Sequence, residues 1–164
     1  MNQNLITLAQ QNVAALHTLS RFLHASGTWP KDREIESDTS SAIYELFEEM
    51  AWSDRNLHAM EYQLLDSILE EDAYSGGALL DRVGDIGSSE RESPQTPGCL
   101  LAAIAHDSKH ETQFRRVVVN HLENLGFLIL ISDARLDDSE RKTFESHFAR
   151  LRSFGSFDSE EAVR

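Results

Sequence analysis

Apolar residues recur along this chain at helical spacing, and no stretch alternates with period two between hairpin turns. The pattern therefore predicts an all-α protein. Over 5–24, Leu5, Leu8, Ala9, Leu16, Leu19 and Leu23 mark a long amphipathic helix with no Gly or Pro inside it. Ser26-Gly27-Thr28-Trp29-Pro30 breaks it, because Gly tolerates unusual backbone angles and Pro restricts the residue before it. A second helix is expected over about 37–53, with Ile43, Leu46, Phe47 and Met50 as its apolar stripe. A third carries Met60, Leu64, Leu65 and Ile68, and fades into Glu70-Glu71-Asp72.

A shorter helix is expected over 77–83, followed by a loop at 84–98 rich in Ser, Pro, Gly and charge. Thr96 then reads as an N-cap and Pro97 as the first residue of a helix continuing to 105. Phe114, Val117, Val118, Leu122, Leu125 and Ile129 mark a central buried helix. Inside it, Gly126 signals a kink, a close helix contact or a division into two helices. The run at 127–131 is the strongest strand candidate, and it is assigned to helix because its upstream counterpart, 46–51, carries a helical stripe. A last helix over 138–154 sets Phe144, Phe148 and Leu151 on one face, and 155–164 is expected to be a flexible tail.

One junction in this pattern occurs twice. In 127–148, FLILISDARLDDSERKTFESHF, an apolar run ends in an acid, turns and opens a helix; a weaker copy lies at 47–68. Placing Asp54 on Asp133 aligns the copies without a gap, pairing Leu57 with Leu136 and Glu61 with Glu140, and each Asp follows a Ser, Ser53 or Ser132. A repeat of this kind predicts two helix-turn-helix units facing each other.

Composition narrows the picture. A chain of 164 residues, 40% hydrophobic, is long enough for one well-cored domain and does not require two. A net charge of −13 repels phosphate backbones and anionic lipid, so no nucleic acid is expected as a partner, and cations or basic proteins fit better. The single cysteine, Cys99, has no internal disulfide partner, and beside Leu100 and Leu101 it is expected to be buried and inert. The amino terminus, MNQNLITLAQQN, lacks the features of a secretory signal, and 127–131 is the longest strongly apolar run. A cytoplasmic protein with no membrane insertion is expected.

The repeated acids admit two explanations. Asp137 followed three positions later by Glu140 resembles a capping box, worth about 1 kcal/mol per cap, with Leu57 and Leu136 as plugs pinning each turn. Asp54 and Asp133 are less well explained this way. Each lies just past an apolar helix, where the macrodipole disfavours a carboxylate. A hard divalent cation held by Asp54, Glu61, Asp133 and Glu140 would compensate them. The spacing is not that of an EF-hand, because Phe144 and Leu65 stand near where its bidentate Glu belongs.

The double pattern of apolar helix, Ser-Asp, turn, Leu and then Glu opening a helix resembles the tellurite-resistance TerB family and the related amino-terminal domain of DjlA-type co-chaperones. SDARLDDSERK is the closer of the two copies to the family's SDG-x-hydrophobic-DD-x-E pattern, and SDRNLHAMEYQ the looser. The resemblance implies a single-domain bundle of about seven helices in two pseudo-symmetric repeats. The domain spans 1–154, with repeat cores at 43–70 and 114–151. It also implies an acidic, metal-binding surface, with Asp54, Glu61, Asp133 and Glu140 as the ligands. The family's usual Gly after the Asp is Arg55 in one copy and Ala134 in the other, and Arg55 brings a positive charge to the first half-site. His58 stands where the second copy has Asp137, as a borderline ligand or a surface residue.

Other chemistry finds little support. His106 and His110 share a helix face but lack an HExxH Glu or a Cys, and are expected at the surface of a fraying helix end. The absence of any Glu-x-x-His motif argues against a ferritin-like di-iron centre. Ser139 and Lys142 satisfy Ser-x-x-Lys without the motifs that accompany it in acyl enzymes. Trp29 and Trp52 read as core plugs. The expectation is a non-enzymatic, TerB-like stress-response protein that binds a divalent metal ion or a basic partner protein through its acidic turns. The alternative is a helical interaction module whose acids serve only as caps and whose exposed groove recruits a partner. The charge balance argues against direct tellurite binding unless a metal bridges it.

Overall fold

The computed structural model describes residues 2–54, 58–69, 95–132 and 137–154, with the backbone alone at 51–54. Among them are six helices and no strand: α1 (Gln3–Ala25), α2 (Ile35–Asp54), α3 (Ala59–Ile68), α4 (Gly98–His110), α5 (Phe114–Ser132) and α6 (Asp138–Ser153). They form a helical bundle around one connected apolar core to which every helix contributes. The helix expected over 77–83, most of the loop at 84–98, Leu57, Leu136 and the tail at 155–164 lie outside the described residues.

Helix α5 is the axis of the bundle and contacts all five others. In its second half Leu125, Gly126, Leu128, Ile129 and Leu130 are all buried, as a helix surrounded by others requires. It runs unbroken through Gly126, so 127–131 is helical. Of the three readings of Gly126, close approach is the one observed. A Cβ there would lie 2.8 Å from a ring carbon of Phe148 and 2.9 Å from one of Phe144, so the missing side chain lets α6 lay its aromatic face against α5.

Helix α1 starts with Asn2 as N-cap, its side chain accepting the Asn4 amide at 3.0 Å, and stops where Gly27 takes a positive φ of 79°. Trp29 is buried, and its indole N–H donates to the Arg33 carbonyl at 3.0 Å, so it plugs the core as expected. Helix α4 begins one residue later than the sequence suggested. Pro97 is the N-cap rather than Thr96, and the Gly98 amide donates to Asp38 Oδ2 of α2 at 2.8 Å. A carboxylate from another helix thus replaces the local cap, a long-range substitution that spacing cannot reveal. Cys99 is buried against this junction, and burial pushes its thiol up to about 12, which leaves it inert.

Candidate functional site

The four acids singled out in the sequence are placed unequally. Asp54 is the last residue of α2, with its backbone alone described, and Asp133 lies outside the described residues. Glu61 and Glu140 are described, and each is the third residue of its helix, with only 3% of its surface exposed. Glu61 Oε2 accepts the His58 amide at 2.9 Å, which is the reach-back half of a capping box. Asp137 caps α6 through the Ser139 amide at 2.6 Å. Capping thus accounts for Glu61 and Asp137, while His58, the N-cap residue of α3, is half-buried. Among the described residues no group of three or more His, Cys, Asp or Glu side chains is arranged to hold a metal.

A second feature lies on the other side of the bundle. Ala15, Thr18, Leu19 and Phe22 of α1 face Phe114, Val117 and His121 of α5 across an open, mostly apolar groove of about 450 Å³. Val117, assigned to a core stripe by its spacing, is instead 40% exposed in this groove, and Phe22 opposite it is 48% exposed. Leu8, likewise assigned to a core stripe, is 49% exposed on α1 beyond the groove lining. The buried face of α1 is Leu5, Ala9, Val13, Leu16, Ser20 and Leu23. Leu8, Ala15 and Phe22 form a separate row at intervals of seven. The signal was legible as a surplus, since α1 carries more apolar positions than one buried face requires. His121 Nδ1 meets Asn12 Oδ1 at 2.9 Å across the two helices, and burial lowers the His121 pKa, which favours the neutral ring.

At one end of the groove the histidine expected at the surface is buried. The His106 ring packs within 5.6 Å of Phe22, 4.9 Å of Phe114 and 4.5 Å of His110, centroid to centroid. Thr112 gives its single hydroxyl proton to Asp107 Oδ1 at 2.6 Å, so at 2.8 Å it accepts from His106 Nδ1–H. Asp107 also takes the Phe114 and Arg115 amides at 2.8 Å each and so caps α5 from the preceding helix. Helix α4 can turn so sharply into α5 because Glu111 adopts a left-handed conformation, φ 55°. His106 is therefore a structural element of a helix corner, and spacing alone missed this because the residues that bury it come from α1 and α5.

The seam between α2 and α6 is charged. Glu48 and Glu49 of α2 are buried, as is His147 of α6. Burial pushes the half-buried Glu45 carboxyl up to about 7; the Glu48 charge adds to this, and Arg150 of α6 pulls against it. No helix among the described residues is long and apolar enough to cross a membrane. Comparison of the chain with protein-family models, curated proteins and solved structures finds no match.

Proposed function

We propose that this protein is a non-enzymatic helical interaction module that seats an amphipathic helix of a partner protein in the groove between α1 and α5. The observation that carries the proposal is the exposure of Phe22 and Val117, one large apolar side chain on each wall of the groove, on helices whose other faces already fill the core. Leu8, half exposed in the same row of α1 as Ala15 and Phe22, extends this apolar surface over fourteen residue steps, about 21 Å of helix, a length suited to a partner helix of about four turns. A net charge of −13 favours a partner helix with Lys and Arg on its polar face.

A synthetic 18-residue helix with Leu on one face and Lys on the other tests this, with the same Lys face carrying Ser in place of Leu as control. Saturable binding of the Leu peptide by fluorescence anisotropy is expected, weakened about tenfold or more by the double substitution Phe22→Ser/Val117→Ser, since each buried apolar side chain contributes roughly 1.5–3 kcal/mol. Equal binding of the Ser control, or an unaffected double variant, rejects the groove as the site.

The TerB-like reading remains part of the proposal: a bundle of about seven helices in two pseudo-symmetric repeats, with an association with tellurite resistance by resemblance. It is supported by the matched positions of Glu61 and Glu140, each third in its helix and each almost fully buried. Under this second reading Asp54, Glu61, Asp133 and Glu140 hold a divalent ion. Calorimetric titration with magnesium, calcium, manganese and zinc tests it. Heat of binding that disappears in Asp54→Ala/Asp133→Ala supports the site, and no heat in the unaltered protein removes it.

A further inference from the structure

Three arginines line a recess of about 310 Å³ where the first turns of α5 meet the last turn of α6: Arg115, Arg116 and Arg152, with Val119 and Asn120. In a chain of net charge −13 such a concentration of guanidinium is out of keeping with the rest. It is also placed against the helix field. Arg115 and Arg116 are the second and third residues of α5, and no acidic residue stands in that first turn, although the positive end of a helix disfavours cations there. Asp107 offsets part of this by accepting the Phe114 and Arg115 amides, which also removes those amides as ligand donors.

The three side chains are not equivalent. Arg152 is ion-paired with Glu123, and Arg115 Nη1 donates to the Phe154 carbonyl at 2.9 Å, which positions its guanidinium without neutralising it. Arg116 is exposed and makes no hydrogen bond or ion pair among the described residues. Among the described residues, two of the three positive charges at the recess thus have no acidic partner, and the Asn120 amide, one turn on from Arg116, can donate further hydrogen bonds.

We propose that this recess is a binding site for a compact phosphoryl dianion. Two guanidiniums supply the planar forks that phosphate oxygens accept, and two charges balance two. A carboxylate would balance only one. The negative field of the whole molecule opposes extended polyanions, so the ligand is a free phosphate or the phosphoryl group of a small phosphomonoester.

The test is a titration of the full chain with inorganic phosphate and with adenosine monophosphate, followed by amide chemical shifts at pH 7.5, with sodium chloride and sodium succinate as controls at matched ionic strength. Saturable shifts at Arg115, Arg116 and Asn120 are expected with both phosphates, and Arg116→Ala is expected to weaken binding about tenfold while leaving the fold intact. Tighter binding of the nucleotide places the natural ligand among phosphomonoesters, and equal binding places recognition on the phosphoryl group alone; both support the site. Shifts that chloride or succinate reproduce equally, or an Arg116→Ala variant that binds as the parent does, overturn it.

Discussion

The α1–α5 and α2–α6 seams join helices of one bundle and solve opposite problems. Between α1 and α5 an apolar surface is left open, with Phe22 and Val117 exposed. Between α2 and α6 acidic groups are closed in: Glu45 feels the Arg150 charge of α6, its neighbours Glu48 and Glu49 on α2 are buried, and burial pushes the Glu45 carboxyl up to about 7. Exposed apolar surface leaves part of the hydrophobic gain unrealised, whereas buried charge costs stability and is tolerated only with nearby compensation such as Arg150. One surface stays open to solvent; the other is closed within the fold.

The sharpest way to break the contrast between open and closed surface is to truncate one phenylalanine in the groove and one in the core. Phe148→Ala, in the fully buried α6 face, is expected to destabilise the protein by about 3–5 kcal/mol. Phe22→Ala is expected to cost about 1 kcal/mol or less, since half of that ring already meets water. Urea denaturation of both variants decides it, and equal losses would make the groove part of the core.

A smaller effect is expected from Gly126→Ala. The added methyl meets the rings of Phe144 and Phe148, and the strain of roughly 1–3 kcal/mol outweighs the gain of about 1 kcal/mol in helix propensity. A lowered melting temperature with unchanged helix content by circular dichroism is the expected outcome, and a raised one would mean that α5 and α6 are not in close contact at this point.

The smallest effect concerns the charged seam. Glu45 titrates near 7 in the folded protein, above its ordinary value of 4.5, so folding favours the protonated form. Its contribution is fully present below about pH 4.5 and is lost as pH rises toward 7. Glu45→Gln, which mimics the neutral acid, is therefore expected to stabilise the protein by roughly 1 kcal/mol at pH 8, a value discounted for partial exposure, and by nothing measurable at pH 4.5. Thermal melts at the two pH values check the sign, and a loss at pH 8 would mean that the carboxylate is paired rather than confined.

Much of this was present in the order of residues. Helical periodicity determined the all-α class and located all six described helices, because a buried face must recur every three or four positions, although the helix expected to end at 105 continues to His110. The capping function of Asp137 was readable too, since the cap and its helix are adjacent in the chain. Which apolar residues remain outside could not be read in the same way. Leu8 and Leu5 carry the same side chain on the same helix, and only the placement of the neighbouring helices leaves one half exposed and buries the other. The cap of α4 by Asp38, the burial of His106 and the role of Gly126 as a contact point were likewise decided by the tertiary structure. Each depends on a group brought from a distant part of the chain, and neither spacing nor propensity encodes which distant group arrives.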